Sequence, residues 1–328
     1  MKNVALICAM AACGSASAEL VRNGGFEEGT FVPNGHNVMT LGVGSTACSH
    51  WTGFQHEVAW MADPNPFGIV AASGIRSLDL TDYFDTPPFG GLRQAIATTP
   101  GAVYRLSLKI GTHSSWTNFA TVDIAAAGAS TSLTSMSGTS QRWELFTWDF
   151  TATSLSTSIE ISGASSSYTY VGLDDVGVVA VGPTLSGHVD LLDYFGSPER
   201  IIQLEFVGGT SSFACPALLD TAGNFEVATN LPPGQYTVLI KASHWLRKAV
   251  VDVALTAAGP NWLSTALTNG DVDDDNEVTI GDYSRLSSAF GSELGSGNWD
   301  SEADLNGDEA VDIGDFAILS AHFGEAGD

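Results

Sequence analysis

The sequence predicts a mainly β protein: two successive β-sandwiches, then a small α-helical module built on a repeat. Three observations carry this. Short alternating apolar runs among Gly, Ser and Thr fill residues 19–182, a second series fills 184–267, and an acidic unit recurs near the end. With 328 residues, the chain exceeds one ordinary core. Charged residues make up 15% and hydrophobic residues 44%, a balance that folds rather than staying disordered.

The first element is residues 1–18, read as a cleaved signal peptide. Lys2 gives the positive start, residues 4–12 a short apolar run, and Ala16-Ser17-Ala18 a small-residue cleavage site. The run is too short to span a bilayer, and no later apolar stretch reaches 18 residues. An exported protein starting at Glu19 is expected, extracellular or at the cell surface. A lipidated Cys13 is the alternative. Cys48 and Cys215 then remain, in different domains. They form no disulfide framework and are read as free or buried thiols.

Residues 19–182 carry β-prone runs at 102–110, 121–125, 143–150, 158–161 and 170–179, without long helical periodicity. Strands of this length and spacing argue for a β-sandwich. Gly182-Pro183 punctuates the chain. Residues 184–267 repeat the rhythm at 185–191, 201–207, 223–227 and 235–242, and suit a small immunoglobulin-like sandwich. The phrases Gly223-Asn224-Phe225 and Pro233-Gly234-Gln235-Tyr236 resemble the carboxypeptidase-regulatory-like domains of secreted bacterial proteins.

Asp271 and Asp304 begin equivalent units, 33 residues apart (304 − 271). The first offers oxygen side chains at Asp271, Asp273, Asp275, Thr279 and Asp282. The second offers them at Asp304, Asn306, Asp308, Asp312 and Asp315. These are loop positions 1, 3, 5, 9 and 12, with Val278 and Val311 at position 8. Position 7, Glu277 or Ala310, gives its backbone carbonyl. Calcium takes six to eight oxygens, which alternate positions of a tight loop turn toward one point. Residues 269–328 hold 16 Asp/Glu against Arg285, so −15 of the net −25 lies there. Such a surface repels nucleic acid and anionic membranes and suits hard cations. Two calcium ions are expected. Position 6 is Asn276 and Glu309 rather than Gly; Glu adds about 1–2 kcal/mol of strain if left-handed, which predicts a weaker second site.

Helical spacing after each loop predicts helices over 283–290 and 316–323, each stopped by Gly291 or Gly324. Tyr283, Leu286, Phe290, Phe316, Leu319 and Phe323 are expected to form their core. No helix is predicted before the first loop. Duplicated loop-plus-helix units over 269–324 resemble a type I dockerin. The resemblance implies calcium-dependent folding and docking onto a cohesin-like or other cell-surface protein. At loop positions 10 and 11 stand Ile280-Gly281 and Ile313-Gly314, not the Ser-Thr pair of familiar dockerins, so the partner stays open.

The N-terminal region resembles the family called domain of unknown function 642, related to choice-of-anchor and carbohydrate-binding modules with a galactose-binding-like jelly roll. The matching phrases run from Asn23-Gly24-Gly25-Phe26-Glu27 through Ser77-Leu78-Asp79-Leu80 and Gly91-Leu92-Arg93-Gln94 to Gly172-Leu173-Asp174-Asp175-Val176. The resemblance implies polysaccharide binding without catalysis, and a structural calcium shared by Glu27 and Asp175 between opening and closing strands. Two surface carboxylates near a seam remain the alternative. Sugar faces stack on aromatics flanked by polar groups, which selects Trp116, Tyr83 and Phe84 in apparent loops. Trp143 and Trp148 are read as packing residues.

An accessory or unrecognised glycoside hydrolase is one rival, and a purely structural surface or adhesion protein another. A glycosidase needs two carboxylates across a cleft. Asp174 and Asp175, adjacent in a predicted strand, are expected to face opposite ways. Neither Gly-x-Ser-x-Gly nor His-Glu-x-x-His occurs.

Overall fold

A computed structural model describes residues 19–82, 87–136, 138–166, 170–208, 211–257 and 259–328. The predicted leader, Tyr83 and Phe84 lie outside the described residues.

The first region contains β1 (Val38–Leu41), β2 (Thr52–Phe54), β3 (Val58–Ala62), β4 (Arg76–Asp79), β5 (Gly91–Ala97) and β6 (Val103–Thr112). There follow β7 (Phe119–Ala126), β8 (Ala129–Met136), β9 (Arg142–Thr151), β10 (Ser156–Ser166) and β11 (Gly172–Ala180). They form a six-stranded sheet, β1-β3-β4-β11-β6-β9, and a five-stranded sheet, β2-β5-β10-β7-β8. Alternation decides which faces meet. In β6, Tyr104, Leu106, Leu108 and Ile110 are buried between the sheets with Ile159, Ile161 and Val122. Each fully buried aliphatic contributes about 1.5–3 kcal/mol. The opening segment is pinned to this core, because the indoles of Trp51 and Trp60 donate to Asn23 O and Phe26 O at 2.9 Å. It also runs beside β11, where Val176 N donates to Gly24 O at 2.9 Å. A Cβ at Gly24 would fall 1.8 Å from Val176 O, so the approach requires glycine.

Two departures matter here. β3 is buried on both faces: Val58 and Trp60 join the main core, while Ala59 and Met61 join Val38, Ile69 and Tyr170 in a second cluster. In β11 the register shifts between Asp174 and Gly177, and Asp175 is left-handed at φ 50°. The expected opposite facing of Asp174 and Asp175 is therefore corrected. Both carboxylates reach Ser73: Asp174 Oδ2 accepts from its amide at 3.2 Å, and Asp175 Oδ1 from its hydroxyl.

The second sandwich holds β12 (Thr184–Leu191), β13 (Ile201–Gly208), β14 (Ser211–Leu218), β15 (Asn224–Ala228), β16 (Gly234–Lys241), β17 (Lys248–Leu255) and β18 (Trp262–Leu267). Sheets β15-β12-β18 and β14-β13-β16-β17 enclose a core around Leu204, Phe206, Val238, Ile240 and Trp245. Cys48 and Cys215 are buried and free, and burial pushes both thiols up to about 12.

The final module has α1 (Ile280–Ala289), β19 (Ser292–Glu293), β20 (Ala310–Val311) and α2 (Ile313–His322). Both helices start three residues earlier than the apolar spacing predicts. Thr279 and Asp312 are N-caps, and capping boxes with Asp282 and Asp315 begin the helices there. The core also differs from expectation. Leu286 and Leu319 are buried, but Tyr283, Phe290 and Phe323 are exposed, and Phe316 only packs against the edge. Val272, Val278, Leu305 and Val311 from the loops, with Leu246 of the second sandwich, fill the interior. Ten-residue helices bury one narrow stripe each, so the loops must supply the rest.

This module is fastened to the second sandwich at several points. Phe195 N donates to Asn306 O at 2.8 Å, and His322 Nε2 meets Asp193 Oδ2 at 3.0 Å. Residues 325–328 make a strap: Gly327 N donates to Asn276 O at 2.9 Å, and Asp328 pairs with the Arg247 backbone and with Lys248 at 3.2 Å. Among the described residues, no helix is long and apolar enough to cross a membrane.

Candidate metal centre

Strand β18 leads directly into the first loop through buried Asn269, whose amide donates to Leu305 O at 2.7 Å and so ties the two loops together. Both loops turn the same way. Asp274 (φ 67°) and Asn276 (φ 72°) are left-handed in the first, Gly307 (φ 75°) and Glu309 (φ 69°) in the second. Loop positions 4 and 6 thus carry the tight turn, and position 6 is left-handed in both copies.

In the first loop, Asp271, Asp273 and Asp275 bring one carboxylate oxygen each to within 4.8 Å of one another. No other such group of three His, Cys, Asp or Glu occurs among the described residues. Asp271 is fully buried. Its Oδ2 accepts from Asn276 N at 3.1 Å and meets Lys241 Nζ at 3.1 Å, while its Oδ1 is buried without a hydrogen-bond partner. Lys241, at the end of β16, also contacts Asp274 and the carbonyls of Ala242 and Ser243, both at 3.0 Å. Burial pushes the Asp271 carboxyl up, against the pull of Lys241; Asp273 is pushed up by burial and then by Asp282 and Asp275. Gathered, partly desolvated carboxylates with an orphaned oxygen fit a hard divalent cation.

The other first-loop candidates surround this group. Asp282 is buried, with Oδ1 accepting from Asp273 N at 3.0 Å and Oδ2 from Thr279 N at 2.6 Å. Thr279 Oγ1 caps Gly281 N at 3.2 Å, and Glu277 sits in a bridge with Ala326. The second loop is arranged differently. Both Asp304 oxygens accept backbone amides: Oδ1 from Gly307 at 2.9 Å and Asp308 at 3.2 Å, Oδ2 from Glu309 at 3.1 Å. Asn306 Nδ2 donates to Asp308 Oδ2 at 3.0 Å, and Asp308 Oδ1 accepts from Ala310 N at 3.0 Å. Asp315 is buried and accepts from Leu305 N at 2.8 Å and Asp312 N at 2.8 Å. Burial pushes the Asp304 and Asp315 carboxyls up.

The pair carried over to the N-terminal sandwich is held by protein partners. Glu27 Oε1 accepts from Ile75 N and Arg76 N at 2.8 Å, and Asp175 Oδ2 pairs with Lys109 Nζ at 2.7 Å. Trp116 lies in the loop after β6, half-buried, its indole donating to Phe67 O at 2.9 Å. It lines a cavity on the outer face of the six-stranded sheet together with Met61, Phe67, Asp79, Asp82 and Tyr170. Trp143 donates to Val70 O at 2.9 Å, and Trp148 packs against the main core.

Sequence reasoning passed over Lys241, Asp79, Asp82 and Tyr170. A signal existed for Asp79, a carboxylate between two core leucines in Leu78-Asp79-Leu80. None existed for Lys241, whose carboxylate partners Asp271 and Asp274 are 30 and more residues away in sequence.

Fold and site together define a modular β protein ending in a paired-loop, calcium-type module. The profile described as Protein of unknown function (DUF642) matches residues 19–178. The Dockerin type I domain profile matches residues 269–324, so that segment is dockerin-like. No curated relative matches the chain. Among solved structures, an N-terminal interface mutant of a type II cohesin-X-dockerin complex from Acetivibrio cellulolyticus is 26% identical. The match covers 44% of this chain and 97% of that one, with a TM-score of 0.37. A Stig cyclase from Fischerella sp. TAU is 16% identical over 50% of this chain and 98% of that one, with a TM-score of 0.38. A structure described as CBM4 is 15% identical over 48% and 98%, with a TM-score of 0.26.

Proposed function

We propose that this chain is an exported, non-catalytic polysaccharide-binding protein that attaches through its dockerin-like module to a cohesin-like partner when calcium is bound. We divide it into a leader (1–18), a jelly roll (19–182), an immunoglobulin-like sandwich (184–267) and the docking module (269–324). The observation that carries the reading is the convergence of Asp271, Asp273 and Asp275 around an orphaned buried oxygen, in the first of two matched loops. One ion would be held by Asp271, Asp273, Asp275, Thr279, Asp282 and the Glu277 carbonyl. A second would be held by Asp304, Asn306, Asp308, Asp312, Asp315 and the Ala310 carbonyl. Calcium supplies the positive charge that lets these acids collapse, so binding contributes folding free energy.

The helix starts present Ile280 (66% exposed) and Ile313 (68% exposed) to solvent at equivalent places. Paired apolar residues on a strongly acidic surface support a protein partner at this face. Against catalysis, Asp174 is fully enclosed and bonded to the amides of Ala72 and Ser73.

The test is calorimetry with calcium on the full chain, repeated with chelator. A cohesin panel and a polysaccharide pull-down follow. Two calcium ions, calcium-dependent capture by a cohesin, and polysaccharide retention without release of reducing sugar are expected. No calcium uptake at millimolar concentration sinks the docking reading, and sugar release sinks the non-catalytic one.

A further inference from the structure

The cavity beside Trp116 has a chemistry unlike that of a neutral sugar cleft. Its walls are Met61, Phe67, Trp116 and Tyr170, and its polar floor is Asp79 and Asp82. Its volume is ≈ 140 Å³, well above the roughly 10–15 Å³ that a single water needs. Its described lining includes no basic side chain.

Strand geometry builds this floor. Leu78 faces the main core, so Asp79 on β4 must face out, where it is paired in register with Ala59 and Gly172. Among the described residues, Asp79 Oδ1 accepts from Thr81 N at 3.0 Å, Thr81 Oγ1 at 2.8 Å and Val171 N at 3.0 Å. Asp82 accepts from Thr40 Oγ1 at 3.3 Å. Both acids are buried, at 8% and 4% exposure. Burial, with the Asp82 charge adding, pushes the Asp79 carboxyl up to about 7; burial and then Glu57 push Asp82 up. Two carboxylates enclosed by apolar walls are costly to ionise without a positive partner. Hydroxyl groups of a neutral ligand cannot supply that charge.

The walls add a second preference. Phe67 and Trp116 stand edge to face, 6.0 Å apart at 79°, locked by the indole bond to Phe67 O. Aromatic faces attract a cation within about 6 Å and also cover the apolar side of a sugar ring. Tyr170, a third wall, has its hydroxyl buried without a hydrogen-bond partner, so the site is incompletely satisfied by the protein alone.

We propose that this cavity takes the protonated amino group of an amino sugar, with the ammonium on Asp79 and Asp82 and the apolar ring edge on Trp116 and Phe67. The proposal rests on the carbohydrate-binding reading of the same module, and the experiment separates the two. Calorimetry on the full chain compares β-linked glucosamine oligomers with matched glucose and N-acetylglucosamine oligomers, and with tetramethylammonium, under conditions that protonate the amine. Glucosamine oligomers are expected to bind at least tenfold tighter than either neutral series. Trp116→Phe should weaken that binding several-fold. The near-isosteric pair Asp79→Asn and Asp82→Asn, checked for an unchanged circular-dichroism spectrum, should erase the preference.

Equal affinity for glucose and glucosamine oligomers overturns the proposal and leaves the carbohydrate reading standing. A preference for glucosamine that survives both Asn substitutions also overturns it, because the amine is then held elsewhere, as on the acidic surface of 269–328. Binding of tetramethylammonium alone refutes the amino-sugar assignment, and binding of none of the four refutes it too, leaving the carbohydrate reading to the polysaccharide pull-down.

Discussion

The two loops of the dockerin-like module share a register but not a state of satisfaction. In the second, Asp304 spends both oxygens on the amides of Gly307, Asp308 and Glu309. In the first, Asp271 keeps one buried oxygen without a partner and shares the other between Asn276 N and Lys241. The second loop therefore holds its shape largely through its own backbone. The first gathers three carboxylates within 4.8 Å and depends on positive charge from outside the repeat. A duplicated motif thus carries two sensitivities, set by what packs against each copy.

The largest expected effect comes from removing calcium. At a hundredfold excess over Kd, bound ion adds about 2.7 kcal/mol. Chelation of the full chain should lower hydrogen-exchange protection across 271–290 about a hundredfold, and across 304–322 by less. Equal loss in both copies would break the comparison.

Alanine substitutions should cross over. Asp304→Ala orphans three amides and should lower the stability of the module by about 2 kcal/mol even without calcium, and by more with it, because a ligand of the second ion is lost. Asp271→Ala should cost less than Asp304→Ala without calcium, since it orphans the single Asn276 amide and also relieves repulsion, and should cost most when calcium is present. Denaturation followed through helix amides in both conditions reads this out. Parallel behaviour of the two variants would show that the amide bonds at Asp304 contribute little.

Lys241→Met sharpens the comparison further. The ammonium competes with an incoming cation at Asp271, so its removal should tighten calcium at the first loop about tenfold, or about 1.4 kcal/mol, and leave the second unchanged. Two-site calorimetry measures it. Unchanged affinity would remove Lys241 from the account.

The smallest effects concern backbone strain. Glu309→Gly should stabilise the module by about 1 kcal/mol, because Glu309 is held at φ 69°, whereas Asn276→Gly should lower its stability, because the Asn276 side chain also accepts from Arg247 N at 2.7 Å. Thermal midpoints of the helix signal compare them. A destabilised Glu309→Gly would show that its side chain matters more than its backbone.

Much of this was legible in the sequence, for physical reasons. Oxygen side chains at positions 1, 3, 5, 9 and 12 are a local pattern, and local patterns survive folding. The left-handed turn at position 6 follows from the same loop geometry. Helix starts were misplaced because apolar spacing locates the buried stripe, while Thr279 and Asp312, already assigned to the loops, decide where the helices begin. The aromatics Tyr283, Phe290 and Phe323 were misread because composition favours burying them, yet a module this small fills its interior with loop valines and leucines. The contact of Lys241 with Asp271 spans two domains, and the bulge at Asp175 depends on strand pairing. Neither leaves a mark in the residues nearby.

The strap at 325–328 has a mechanical consequence. Under the proposed docking, a protein seated on α1 and α2 would pull on the module, and the pull would pass into the second sandwich. One route is the peptide link after β18; another runs across Asn276, Gly327 and Asp328 to Arg247 and Ala249 at the start of β17. Bonds that share a load in parallel must fail together, whereas bonds loaded in series unzip one after another. Lifetime under tension is governed by the unfolding barrier rather than by equilibrium stability. Cutting the strap should therefore shorten that lifetime even where it leaves calcium affinity untouched.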